Sequence, residues 1–195
     1  MNREHDIKTG VFSTKDMAVI GMLAALCTVA TYIKVPAGNG AMVHLGSAAI
    51  FTAALLFGGT KAGLAGAIGS GVFDIIGGFS PYTLWSFVIK GVAGFLVGLI
   101  ASSEISRKVL TKLSQHKSNR AKAVLEMSKN LLAVLTGTVW NLAGYLIAWT
   151  VVLESFEAAM GNAVFSILTS AVGILVSIPL AATLKKPLSK YSRTI

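Results

Sequence analysis

The sequence predicts an all-α, polytopic membrane protein of six transmembrane helices, with both termini on the inner side (N-in/C-in). Three observations predict it. Of 195 residues, 54% are hydrophobic and only 13% charged, about half the charged share of a soluble domain. The mean hydropathy is +0.72, more apolar surface than a water-soluble monomer of this length can hide. The apolar residues also fall into six runs close to the ~20 residues a helix needs to cross lipid.

The runs are, in order, Met17 to Ile33, Met42 to Phe57, Ala62 to Phe79, Tyr82 to Ile100, Asn130 to Leu153 and Phe156 to Leu184. The second is short and the third rich in glycine. Residues 1–16 hold Arg3, Lys8, Lys15 and three acids, without a small-x-small cleavage site after the first run, so they read as a cytoplasmic tail and not a cleaved signal. Residues 102–128 form a basic cytoplasmic loop and 185–195 a second tail, and 1–195 is a single transmembrane domain.

Charge sets the orientation. With the N-terminus inside, fifteen of the 17 Lys and Arg residues lie on inner segments. They include Lys61, seven residues from Arg107 to Lys129, and the tail residues Lys185, Lys186, Lys190 and Arg193. Only Lys34 is outside and Lys90 within a span, which is the positive-inside pattern. That placement explains the net charge of +9 by attraction to anionic lipid, with no nucleic-acid partner. Cys27 is the single cysteine, so there is no internal disulfide and no cysteine-based metal site.

Residues 58–98 contain eleven glycines. Glycine costs about 1 kcal/mol relative to alanine in a soluble helix, whereas in lipid small residues four apart let backbones approach closely. Gly63, Ala67 and Gly71 form one such ridge, Gly94 and Gly98 another, and both read as internal packing. Gly21 and Ala25 form a third, which faces either the bundle or another protein.

Ionisable groups inside the spans reduce to Asp74 and Lys90, since Asp16 and Lys129 sit at inner ends. An unpaired charge at mid-bilayer costs about 2.5–3.5 kcal/mol. Asp74 falls one turn from an outer end, and Lys90 about 12 Å below the start of its helix. Two readings stand: a structural ion pair, or an ammonium that donates to a polar ligand. Asn141 and Tyr145 share a helix face, as do Tyr145 and Trp149, and Asn162 precedes Ser166 at the same spacing. Trp149, Tyr82 and Trp85 read as interfacial belt. The segment from Pro36 to His44, with Asn39 and Met42, reads as a flexible outer loop. Together these residues predict an outward-facing pocket for a small, flat, polar molecule.

No catalytic constellation is present: no HExxH, no GxSxG and no paired carboxylates in one span. The Gly58-Gly-Thr-Lys61 stretch lacks a phosphate loop, so ATP is not bound by that route. The expectation is a chain that is not an enzyme and holds no metal or cofactor.

The stretches Val43–Gly58, Lys61–Asp74 and Ser86–Gly98 resemble the substrate-specific S subunits of energy-coupling factor (ECF) vitamin transporters. The order of elements and the basic loop after the fourth helix are similar too. Ser47 is a departure, standing where relatives often carry an acid. The resemblance implies capture of a vitamin or precursor at a bacterial plasma membrane. It also implies partners, a transmembrane coupling subunit (T) and two cytoplasmic ATPases, with substrate released inside as the S subunit tilts. The resemblance places partner contact at Gly21 and Ala25, and substrate binding at Asn39, Met42, His44, Lys90, Asn141, Tyr145 and Asn162. Among members associated with riboflavin, pyridoxine or hydroxymethylpyrimidine, the few pocket aromatics (Tyr145, Trp140, Phe165) favour a single ring, pyridoxine or hydroxymethylpyrimidine. The alternatives are a stand-alone channel or facilitator, disfavoured by the apolar stretches 131–135 and 173–180, and a non-transporting membrane scaffold.

Overall fold

A computed structural model describes residues 12–36, 41–103 and 118–191, with positions 106, 108, 109, 111 and 112 between them. Asn39, most of the first tail, part of the 102–128 segment and the last residues lie outside this description. Six helices are described: α1 (Thr14–Tyr32), α2 (Gly46–Phe57), α3 (Gly59–Ile76), α4 (Thr83–Ser102), α5 (Asn119–Leu153) and α6 (Phe156–Tyr191). Four stretches, 14–32, 80–102, 119–153 and 156–185, are long and apolar enough to cross a membrane. The chain is an all-α membrane protein with one small addition. The helix α2 spans 12 residues, about 18 Å, and is too short to cross alone.

The bounds differ from the apolar runs where polar residues decide them. Strand β1 (Lys34–Pro36) pairs antiparallel with β2 (Met42–His44), so Met42 belongs to a hairpin and α2 begins four residues later than its run. At the start of α1, Ser13 and Asp16 form a capping box, each side chain satisfying the other's backbone N–H. The helix α5 starts at Asn119 and not at residue 130, because the Ser118 hydroxyl caps it by accepting from Ala121 N–H. It ends at Glu154, in a left-handed conformation with φ 51°.

Packing follows the small residues. The most extensive helix pair is α3 with α4, where a Cβ on Gly98 would run into the backbone of Gly58 and Gly59, and a Cβ on Gly63 would stand 2.9 Å from the Gly91 carbonyl. Gly69 seats α3 on α1 at the Ala24 carbonyl and Cys27. The ridges at Gly63, Gly94 and Gly98 are packing surfaces, as the sequence predicts. Replacing Gly98 by alanine drives a methyl into backbone that cannot swing aside, and is expected to cost about 1–3 kcal/mol in detergent unfolding. Gly21→Ala, with no atom within 4 Å of the new methyl, is the matched control and leaves stability unchanged.

The short helix α2 sits inside the arc of the others, touching α1, α3, α4 and α6. Its Phe51 is fully buried and joins Ile50, Val97 and Val134 in the apolar core. That core fills the bundle on one side of a cavity.

Candidate ligand-binding site

A cavity of about 70 Å³ opens near the hairpin, where α1, α3 and α5 end and α2, α4 and α6 begin. Every wall carries a polar group the apolar runs could not show in depth. From α4, Lys90 is 4% exposed, and its Nζ donates to Ser47 Oγ on α2 at 2.9 Å. The same ammonium lies 5.1 Å from the centre of the Tyr145 ring, within cation–π range. Tyr145, on α5, donates its hydroxyl to Ser86 Oγ at 3.0 Å and packs against Trp149 with ring centres 5.5 Å apart. These contacts fix the ring as one wall.

Two residues in the lining carry buried polar atoms with no hydrogen-bond partner among the described residues. Asn141 is 2% exposed, and neither its Nδ2 nor its Oδ1 finds a hydrogen-bond partner among the described residues. Asp74, 6% exposed on α3, leaves its Oδ2 unpartnered. Asp74 and Lys90 line the same cavity but form no direct ion pair. An unsatisfied buried polar atom costs about 1–3 kcal/mol, so their presence together calls for a group that completes them.

The hairpin closes this end. Thr169 Oγ1 on α6 donates to the Met42 carbonyl at 3.1 Å, and Lys34 Nζ stands 4.8 Å and 4.9 Å from the ring centres of Phe79 and Phe73. His44 Nδ1 accepts the Gly46 N–H at 3.0 Å, which leaves Nε2 to carry the proton. Burial, then the cations Lys90 and Lys34, push the His44 pKa down from 6.5 to about 3.

The folded state therefore keeps His44 neutral, while the unfolded chain takes up a proton near 6.5. Stability is full above that value and falls as pH drops from about 6.5 towards about 3, by up to about 1.4 kcal/mol per pH unit. Denaturation at about pH 7 and 5.5 is expected to show this slope in the wild type. His44→Asn, whose carbonyl can still accept from Gly46, is expected to flatten it.

Of the residues named from sequence, the structure brings Met42, His44, Lys90, Asn141 and Tyr145 to one cavity. Asn39 is outside the described residues. Asn162 is 2% exposed but is not part of the lining. Trp140 is also elsewhere, 39% exposed with its indole N–H bonded to the Ile89 carbonyl at 3.1 Å. Trp149 and Tyr82, read as interfacial belt, line the cavity, as do Ser47, Ser70 and Ser86, which carried no signal in an apolar run.

Helices long and apolar enough to cross a membrane, packed around a partly open chamber with polar side chains among its lining, define a membrane protein able to hold a small molecule. The chain belongs to the family described as ECF-type riboflavin transporter, S component, whose model matches residues 11–186. This is a family of transporter components and not of enzymes. A thiamine precursor transporter, HmpT, of Lactococcus lactis subsp. cremoris (strain MG1363) is 32% identical over 84 residues, 40% of this chain and 51% of that protein. An uncharacterised protein of Pyrococcus woesei is 38% identical over 71 residues, 36% of this chain and 47% of its own length. The chain thus spans about half the length of the curated relatives it matches.

Proposed function

We propose that this chain is the substrate-capturing membrane subunit of an ATP-driven ECF importer, taking a single-ring vitamin or vitamin precursor, pyridoxine or hydroxymethylpyrimidine, from outside a bacterial plasma membrane. The observation that carries the reading is a polar cavity at one end above a packed apolar floor. Phe51, Val97 and Val134 are each fully buried in that floor. A channel needs a polar path to the other face, and a scaffold needs no chamber with unpartnered polar groups.

Six spans with both termini inside give the cavity its side. Among the described residues, the ion pairs Lys61–Asp16 and Lys185–Glu126 lie at the opposite end of the bundle, and the basic sequence around them is what the positive-inside rule assigns to the cytoplasm. Release then requires the subunit to move as a body against a coupling subunit, powered by two ATPases. The Gly21 and Ala25 ridge supports that contact, since both residues are exposed on α1 and Gly21 has open space around it.

Size favours one ring. At 10–15 Å³ per water-sized sphere, about 70 Å³ holds about five to seven waters, or roughly 150–200 Å³ of liquid. One six-membered ring with its substituents fits that space. The test is a thermal-shift screen of the purified protein with pyridoxine, hydroxymethylpyrimidine, riboflavin and folate. A ligand at 100 times its dissociation constant adds about 2.7 kcal/mol of stability. A shift with a single-ring compound is expected. A shift with riboflavin alone would replace the single-ring substrate by the one in the family's description, and no shift with any compound would overturn the binding role.

A further inference from the structure

Resting on the reading of the cavity as a single-ring vitamin site, we infer that Asp74 is a specificity-determining residue. With Asn141 it selects an aminopyrimidine bearing a hydroxymethyl group over pyridoxine. The observation is a set of hydrogen-bonding valences left open. Asn141 offers one carbonyl acceptor and one amide donor side by side, both buried and both unpartnered among the described residues. Such a side chain is completed by a ligand edge with an N–H beside a ring nitrogen, the geometry by which asparagine reads adenine in nucleic acids. The 4-amino group and the adjacent ring nitrogen of 4-amino-5-hydroxymethyl-2-methylpyrimidine supply that edge.

Asp74 adds a second demand. Its unpartnered Oδ2 is acceptor-only as a carboxylate and lies in the wall of the same cavity. It requires a donor from the ligand, and the hydroxymethyl O–H is one. Lys90 has three N–H donors, of which one goes to Ser47, so it can serve a second ring nitrogen. The cavity lining holds one cation, Lys90, and one carboxylate, Asp74, with His44 neutral. A neutral ligand keeps that balance, and a charged one would leave an uncompensated buried charge. Pyridoxine carries hydroxyls around its ring but no amino group beside a ring nitrogen, so it leaves one atom of Asn141 without its natural complement. A site built on buried polar groups discriminates strongly against ligands that leave them unpaired.

The test is calorimetric titration of the purified full chain with three probes. They are 4-amino-5-hydroxymethyl-2-methylpyrimidine, its deoxy analogue 4-amino-2,5-dimethylpyrimidine, and pyridoxine. The wild type is expected to bind the hydroxymethyl compound at least about tenfold tighter than either of the others. In Asp74→Ala the preference over the deoxy analogue falls to about one, while affinity for the deoxy analogue changes by less than about threefold. Asp74→Asn keeps the size but loses the charge, and lowers the preference at least threefold if the alanine variant does not fold. A preference that persists unchanged in the Asp74 variants overturns the role of Asp74. Pyridoxine binding as tightly as the pyrimidine overturns the aminopyrimidine selectivity and leaves the single-ring reading in place. Binding of none of the three, with riboflavin also silent, defeats the site reading itself.

Discussion

Asn141→Leu is expected to make the unliganded protein more stable and at the same time to remove most of its affinity for ligand. The two effects have one cause. Both polar atoms of Asn141 are buried at 2% exposure without partners, and each such atom costs about 1–3 kcal/mol until something satisfies it. Leucine at this position carries no unmet valence and is the better helix former, so the denaturation midpoint is expected to rise by the equivalent of about 1–3 kcal/mol. Affinity falls at least about tenfold, because the ligand loses its paired donor and acceptor. Stability gained at the expense of binding is the mark of a functional site and not of a core position. A variant that loses stability and binds as before would show that Asn141 is an internal packing residue.

Lys90→Met is expected to lose both binding and stability. The ammonium is 4% exposed and is the cation of the cavity wall, held by Ser47 Oγ and the Tyr145 ring. A hydrogen bond from a charged donor contributes about 1.5–3 kcal/mol, so affinity is expected to drop by about 10- to 150-fold. Stability falls because the Asp74 carboxylate then stays in the same lining without a nearby cation. Removing both charges, in Lys90→Met with Asp74→Asn, is expected to recover most of the stability and none of the affinity. If the double variant is as unstable as Lys90→Met alone, the two residues are not coupled across the cavity.

How far the sequence revealed the site depends on residue type. Lys90, Asn141 and Tyr145 could be read from it because a strong polar group inside an apolar run is expensive in lipid and so carries information. Serines carry far less. A hydroxyl in a helix can bond the carbonyl one turn back, as Thr31 does to Cys27 and Thr52 to Ala48, so it is nearly free wherever it points. Ser47, Ser70 and Ser86 line the cavity while Ser177 is fully buried outside it, and nothing in their neighbours' composition separates them.

Trp149 and Tyr82 show the same limit, since both line the cavity and their places in the apolar runs do not indicate it. Position along a run gives depth in the membrane, and the side of the bundle a ring faces is decided by neighbouring helices. Asn162 lies one turn from the lining residues Phe165 and Ser166 and is buried beside the cavity without forming its wall. The hairpin is not legible in the sequence because three-residue strands leave too short a period to read. Helix α5 extends beyond its apolar run because the residues after the Ser118 cap are helix-compatible but charged. The glycine pattern is readable as packing, since close approach accounts for most of the glycines in 41 residues, while Gly58 and Gly78 serve positive-φ turns.

The most direct measurement is mass spectrometry of small molecules released from the protein purified without added vitamins, with Asn141→Leu prepared in parallel. A substrate-capturing subunit with a single-ring site is expected to release one such compound in near-equimolar amount, and the variant to release little or none. Release of riboflavin would contradict the single-ring site. An equal yield from both proteins, or no ligand from either together with no thermal shift from any vitamin, would contradict the cavity as the place where substrate is held.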